Sequence, residues 1–219
     1  LATDAAQDAV RHVRLHFDAL LEAGEWTAIG LYAADGRPLL QAGEARAPEA
    51  ALRQAIAQTA ADGGFRLNDV HPVDAAGLAY RIDFLLPLPE AAGVLALSAD
   101  PLTLLFPMAQ SWPIPSDSSE ALLLRVEGDQ VAFITPPHRS DARPTEQRVP
   151  LADTALSSLR DRKDEKGIFE GRDFRGIEVL AAFEAVPGTP WHIEAKTDTE
   201  EVLQPLRRQA GQIFAMVLL

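Results

Sequence analysis

The sequence contains no cysteine, and this absence excludes several kinds of chemistry. Disulfide bonds, thiolate metal sites and cysteine nucleophiles all require a thiol. A chain without cysteine also avoids mispaired disulfides in an oxidising compartment. This favours an extracytoplasmic location, although many cytosolic domains lack cysteine too.

Positive charge is also scarce. The chain has 20 Lys and Arg residues against 32 Asp and Glu residues, and its formal net charge is −12 at pH 7. The arginines are scattered along the chain and do not form the basic stripe that a phosphate backbone requires. We therefore expect no nucleic-acid partner.

The common catalytic motifs are missing as well. The sequence has no G-x-S-x-G elbow, no H-E-x-x-H pair, no P-loop and no G-x-G-x-x-G fingerprint. His12 and His16 have the i, i+4 spacing of a metal pair on one helix face, but no third ligand is evident. Several acidic residues fit a solvated surface better than a general acid and base pair, namely Glu170, Asp173, Glu178 and Glu184. We predict no catalytic residue, no metal site and no cofactor.

Long hydrophobic runs are absent except at the end of the chain. Residues Ile213 to Leu219 are seven consecutive apolar residues, fewer than the roughly 20 that cross a bilayer. The run is either the buried end of a helix or the beginning of a transmembrane helix, and we favour the second interpretation because nothing polar closes it. Arg207 and Arg208 before it are typical of a cytoplasmic flank, but the composition favours the periplasmic side.

Both end segments have helical periodicity with heptad-like spacing. The spacing of 3 and 4 predicts a seam on the C-terminal helix and hence a homodimer in the intact protein. The shorter N-terminal seam fits equally well a helix that packs on its own domain. The seam residues are Val10, Val13, Phe17 and Leu20 in the first segment, and Leu203, Leu206, Ala210, Ile213 and Val217 in the last.

Between these helices the same pattern occurs twice. Each half has a hairpin, a helix and a further strand pair, and the turns are Asp35-Gly36 and Gly128-Asp129 in the hairpins and Pro187-Gly188 near the end. The first helix has its apolar stripe at Leu52, Ala55, Ile56, Thr59 and Ala60, and the second at Ala152, Ala155, Leu156 and Leu159. Two units of roughly 95 residues therefore fill the chain, and we predict that residues near 26–100 and 120–198 form separate sheets with the same strand order. The predicted fold class is α+β, with antiparallel sheets and helices on one face.

Two stretches carry a resemblance to a known family. The stretch DFRGIEVLAAFEAVPGTPWHIEAKTDTEEV, residues 173–202, is similar to the closing strands of a second Cache module. The stretch SADPLTLLFPMAQSWPIPSDSSEALLLRVEGDQVAFI, residues 98–134, resembles the linker between modules. The chain thus resembles a double-Cache sensor domain, with two tandem PAS-like modules, of a bacterial transmembrane receptor. The expected limits are an N-terminal helix at 1–24, modules at 25–110 and 111–198, and a C-terminal helix at 199–219.

The resemblance implies a function and a location. Such domains bind a small molecule on the periplasmic or extracellular side of the inner membrane, between flanking transmembrane helices. The signal passes to a histidine kinase, diguanylate cyclase or chemotaxis domain. The amino-acid-sensing members carry an Arg-x-Trp pair in the first module, which this sequence lacks, so the ligand is left open. The alternative is a soluble α+β enzyme or adaptor without a membrane-linked output domain.

The candidate ligand-binding residues of the first module are Tyr80, Arg81, Asp83 and Asp100. An arginine can bind a carboxylate through two hydrogen bonds, and an aspartate can bind an ammonium group. The alternative is structural: Tyr80 lies in the core, and Arg81 and Asp83 form the solvent side of a half-buried sheet.

The comparable set in the second module is Asp173, Arg175 and Trp191. Asp173 and Arg175 share a face if the segment is extended, but they equally suit the fixing of a turn. In the last strand Trp191, Ile193 and Ala195 alternate with a polar set that begins at His192, for which we expect a paired or exposed side chain.

Overall fold

The computed structural model describes residues 2–44, 50–74, 77–89, 93–110, 116–137, 140–151 and 167–217. The chain divides into two compact units, Leu1–Pro107 and Met108–Leu219. The described residues form four helices and eleven strands. The helices are α1 (Ala2–Glu22), α2 (Ala50–Asp62), α3 (Pro101–Gln110) and α4 (Thr199–Val217).

The first unit contains one antiparallel sheet with the order β2-β1-β5-β4-β3. Its two hairpin strands are joined by residues 33–37, where Gly36 has a φ of 82° that only glycine adopts readily. The strands are β1 (Ala28–Tyr32), β2 (Pro38–Gly43), β3 (Arg66–Pro72), β4 (Tyr80–Pro87) and β5 (Val94–Ala99).

The second unit contains an antiparallel sheet with the order β8-β7-β6-β11-β10-β9. Without the short β8 this is the strand order of the first sheet, so the prediction of two separate sheets with the same order is confirmed. The strands are β6 (Glu120–Glu127), β7 (Gln130–Phe133), β8 (Arg148–Pro150), β9 (Gly167–Arg172), β10 (Glu178–Ala185) and β11 (Trp191–Asp198).

The core of the first unit lies between α2 and one face of the sheet, which we call the inner face of the first sheet. Ile56 is fully buried there against Tyr32 and Leu85, and Ala55 joins the same cluster. The apolar stripe predicted for this helix is confirmed, since its outer members Leu52 and Ala60 also pack on the cluster. Burial of such a stripe holds the helix in place through the hydrophobic effect.

The second sheet has a corresponding inner face, defined by the buried side chains of β6 and β10. Its core consists of Leu122, Leu124, Val131, Phe133, Leu151, Val179, Ala181 and Phe183. The sequence analysis missed β3 in the first sheet and both β8 and β9 in the second, because these segments have little of the apolar character that predicts a strand. The predicted second helix at 152–159 lies outside the described residues.

The terminal helices present apolar side chains to solvent. In α1 the side chain of Phe17 is buried and the helix lies against β1 and β2, whereas Val10 is 52% exposed. In α4 Leu206 is 61% exposed. Pro205 lies inside α4, where its missing N–H removes one helical hydrogen bond.

Candidate functional site

A row of polar side chains crosses the inner face of the first sheet. The strand register places Asp83 beside Ser98 on β5 and Asn68 on β3. Ser98 Oγ donates to Asp83 Oδ1 at 2.6 Å, and Asn68 Nδ2 donates to Asp83 Oδ2 at 2.7 Å. Asp83 is fully buried, so the expectation that it lies on a solvent side of the sheet is wrong. These donors compensate the carboxylate for the water that it has lost.

Tyr32, at the end of β1, shares the inner face of the first sheet with this row. Its ring covers Gly30: a Cβ atom at that position would meet Tyr32 Cε2 at 2.3 Å. Gln41 Nε2 donates to the Tyr32 hydroxyl at 2.9 Å. Burial raises the pKa of Tyr32, and the negative charge of Asp83 acts in the same direction. The phenol therefore stays neutral and can both donate and accept a hydrogen bond.

Arg81 occupies the inner-face position of β4 two residues before Asp83 and is half-buried. Its Nη2 atom makes one long contact, 3.4 Å from the carbonyl oxygen of Glu44. His71 is its neighbour on β3, with Nε2 3.9 Å from Asp83 Oδ2. A guanidinium, an imidazole and a buried carboxylate thus lie together.

The other two predicted residues of this set lie elsewhere. Tyr80 is 8% exposed, and strand alternation directs it to the face opposite to Arg81 and Asp83. Asp100 caps α3: its Oδ1 accepts from the backbone N–H of Leu102 at 2.9 Å. The structure therefore brings together only two of the four.

In the second sheet, the polar side chains of β11 lie on the buried side. Glu194 is 2% exposed and Lys196 is 1% exposed, whereas Ile193 is 36% exposed. His192 shares the inner face with them. The apolar side of this strand would ordinarily be the buried one, and the sequence analysis treated it so.

Ion pairs explain this inversion. Lys196 Nζ lies 3.0 Å from Glu120 Oε1, 2.8 Å from Asp173 Oδ2 and 4.2 Å from the centre of the Phe174 ring. A buried ammonium is tolerated when carboxylates surround it so closely. The partners come from β6 and from the turn between β9 and β10, so only the folded chain assembles them.

Asp173 and Arg175 fix that turn. Asp173 Oδ1 accepts from the backbone N–H of Arg175 at 2.8 Å, and the backbone N–H of Gly176 donates to the Asp173 carbonyl. Arg175 also pairs with Asp173 Oδ2 at 2.6 Å and with Asp198 Oδ1 at 2.5 Å. Burial raises the pKa of Asp173, but the hydrogen bonds from Lys196 and Arg175 outweigh it and hold that pKa below its ordinary value. The two residues serve the turn and also join it to the end of β11.

Trp191 does not join this network. It is 4% exposed, and its register partner is Arg125 on the outer face of the sheet. A groove of about 440 Å³ lies on that outer face between β9, β10 and β11, and it is lined mainly by Ile168, Ala182, Ile193 and Ala195. Trp191 is not among its lining residues.

Within the described part of the chain, no group of three or more His, Asp or Glu side chains has the arrangement of a metal site. His16 Nδ1 lies 2.8 Å from the carbonyl oxygen of His12, which is a contact within the helix. No helix in the described residues combines the length and the apolarity that crossing a bilayer requires.

Each unit is an antiparallel sheet with polar side chains on its packed inner face. Together the two units have a tandem PAS-like arrangement of strands. No protein-family model matches the chain, and no curated protein matches it. Similar solved structures exist. The extracellular domain of the candidate histidine kinase mmHK1S-Z3 has a TM-score of 0.67 and 12% identity, over 91% of this chain and 83% of that one.

Two chemoreceptor domains of Pseudomonas aeruginosa PAO1 are also similar. The ligand-binding domain of PctB, solved with L-Arg, has a TM-score of 0.57 and 17% identity over 91% of this chain and 85% of that one. The domain of PctC, solved with GABA, has a TM-score of 0.55 and 17% identity over 80% and 76%. The chain therefore has the fold of extracellular sensor domains, and the predicted double-Cache fold is confirmed.

Sequence reasoning missed several members of these faces. In the first unit they are Tyr32, Gln41, Asn68, His71 and Ser98, and in the second Glu120, Glu194, Lys196 and Asp198. The polar residues in a strand of buried apolar neighbours were a usable signal, since Ser98 interrupts an otherwise apolar β5. Their meeting depends on the register between strands, which no local pattern contains.

Proposed function

We propose that this chain is the extracytoplasmic small-molecule sensing domain of a bacterial transmembrane signalling receptor. The observation that carries the proposal is the polar row on the inner face of the first sheet, where Asp83 and Arg81 lie side by side. This row belongs to a tandem PAS-like fold of the kind that sensor domains have. The similarity to domains of kinases and chemoreceptors favours sensing over a soluble enzyme or adaptor.

The ligand that we propose carries both a carboxylate and an ammonium group. Among the described residues, Arg81 makes a single long hydrogen bond, so its guanidinium can bind a carboxylate through two. Asp83 accepts one hydrogen bond on each oxygen, and an ionised carboxylate has room for about four. The PctB and PctC domains were solved with L-Arg and GABA, which both carry these two groups.

The remaining features follow from the same proposal. We place Tyr32 and His71 at the edge of the site, because the hydroxyl and the imidazole can orient a ligand by hydrogen bonds. The segments 1–24, 25–110, 111–198 and 199–219 are the N-terminal helix, two modules and the output helix. Transmembrane helices flank them, the receptor is a homodimer, and the domain faces the periplasm.

A ligand screen tests the proposal. Thermal shift and calorimetry on the 219-residue chain compare L-amino acids and GABA with matched carboxylates and amines that carry only one of the two groups. We expect binding only when both groups are present, since a ligand that binds the native state alone raises the melting temperature. Equal binding of a simple amine or carboxylate would contradict the two-point site, and no binding by any compound would contradict the sensing role of the first unit.

A further inference from the structure

Glu194 differs from the other buried acids of the second unit. It is 2% exposed, and no described residue donates a hydrogen bond to its carboxylate. Glu120 and Asp173, by contrast, each lie within 3.0 Å of Lys196 Nζ. A buried carboxylate without donors strongly favours its neutral, protonated form.

The charges around Glu194 reinforce this. The described ionisable groups on the inner face or on the turn against it are Glu120 from β6, Asp173 and Arg175 from the turn, and His192, Lys196 and Asp198 from β11 itself. With Glu194 ionised, four carboxylates face two permanent cations. Burial, followed by the negative charges of Glu120 and Asp173, outweighs the attraction of Lys196 and raises the pKa of Glu194 to about 7.

A path of contacts leads from this position to α4. Lys196 joins Asp173, Asp173 joins Arg175, and Arg175 joins Asp198, which is the residue before the helix. The backbone N–H of Asp198 donates to Ser118 Oγ at 3.0 Å, and Ser118 in turn bonds to Glu201 in the first turn of α4.

We propose that Glu194 is a proton-responsive group of the second unit, and that its ionisation changes the ion-pair network that holds the start of α4. Glu194 and Lys196 are two residues apart on the same face of β11. An ionised Glu194 therefore competes with Asp173 for the ammonium group. When it loses its proton to water, the Lys196–Asp173 pair weakens, so Asp173 attracts Arg175 more strongly and draws it away from Asp198. Only the role of α4 as the output path rests on the proposed function, because the proton-driven change belongs to the second unit alone.

Nuclear magnetic resonance on the labelled 219-residue chain tests this. The carboxyl ¹³C shift of Glu194 and the backbone amide shifts of Arg175, Asp198 and Glu201 are followed over roughly pH 4 to 9. We expect all four to share one transition near pH 7, in line with the raised pKa of Glu194, about 7. The amide transitions should vanish in Glu194→Gln and persist in Glu170→Gln, whose side chain is exposed on the same sheet.

Other outcomes overturn the inference. A Glu194 transition below pH 5 shows an ordinary carboxylate, and amide transitions that survive in Glu194→Gln belong to His192 or another group. If Glu194→Gln fails to fold, Asp198→Asn provides the test: Glu194 should still titrate near pH 7 while the Glu201 amide stops following it. A Glu201 amide that never follows Glu194 in the unmodified chain shows that the change does not reach α4. None of these readouts depends on the ligand, so failure here is distinct from failure of the proposed sensing role.

Discussion

Lys196 Nζ lies 2.8 Å from Asp173 Oδ2, and both side chains are almost completely buried. This pair joins the last strand of the second sheet to the turn between β9 and β10. Removal of one partner leaves the other charge buried and unpaired, which lowers the free energy of unfolding by roughly 3–5 kcal/mol.

Asp173→Asn should therefore lower the free energy of unfolding by about 3 kcal/mol at neutral pH. The control is Asp62→Asn, which breaks the exposed pair with Arg66 and should cost less than about 1 kcal/mol. The folded-state pKa of Asp173 is lowered, so its contribution is present above the unfolded pKa and is lost as the pH falls through the lower folded value. Urea unfolding at several pH values measures both effects, and equal costs for the two variants would contradict the role of the pair.

The effect of Glu194→Gln on the free energy of unfolding should change with pH in the opposite direction to that of Asp173→Asn. The folded pKa of Glu194 is raised from 4.5 to about 7. Its favourable contribution is therefore full below the unfolded pKa and declines as the pH rises toward 7. Since glutamine resembles the protonated acid, the variant should match the unmodified chain at low pH and exceed it by about 3 kcal/mol at pH 8. A variant that is less stable at pH 8 would show that the carboxylate is needed in its ionised form.

Arg81→Ala tests the proposed ligand site. We expect the affinity for a carboxylate-bearing ligand to fall at least about tenfold, because a charge-assisted bond is lost. The melting temperature of the free chain should change little, since Arg81 makes only one long hydrogen bond within the described part of the chain. Arg172→Ala, which removes an exposed arginine of the second unit, is the matched control. Unchanged affinity by calorimetry in Arg81→Ala would remove this residue from the site.

Gly30→Ala should disturb the ring of Tyr32. The new Cβ would lie 2.3 Å from Cε2, so the ring must move, and overpacking of this kind costs roughly 1–3 kcal/mol. Gly64→Ala, where no atom lies within 4 Å of the added Cβ, should be nearly neutral. The cost of Gly30→Ala should shrink in a Tyr32→Leu background. An undiminished cost in this double-mutant cycle would mean that the strain arises elsewhere.

Cysteine crosslinking tests the proposed output through α4. Single cysteines introduced from position 203 to 217 of the proposed full-length receptor should crosslink with heptad periodicity, strongest at Leu203, Leu206 and Ala210. The 61% exposure of Leu206 leaves it available to a second copy. Gln204 and Arg208, on other faces of the helix, serve as controls. A flat profile, or one that no bound ligand alters, would count against signalling through this helix pair.

Much of the fold was readable from local patterns. The stripe Leu52 to Ala60 predicted a helix packed on a sheet, and Gly128-Asp129 predicted a hairpin that the structure forms between β6 and β7. Such features depend on neighbours in sequence, because helical periodicity and turn geometry arise within a few residues. The repeat of these patterns then predicted two sheets with the same strand order, and both sheets have it.

Only the tertiary structure determined which polar groups are buried. Alternation in β11 marked the side of Ile193 as the buried one, yet the structure buries Glu194 and Lys196 instead. The reason is that Glu120 and Asp173 reach Lys196 from distant parts of the chain, and their attraction offsets the cost of removing its charge from water. The sequence determined which residues could carry charge, whereas strand register determined which charges meet.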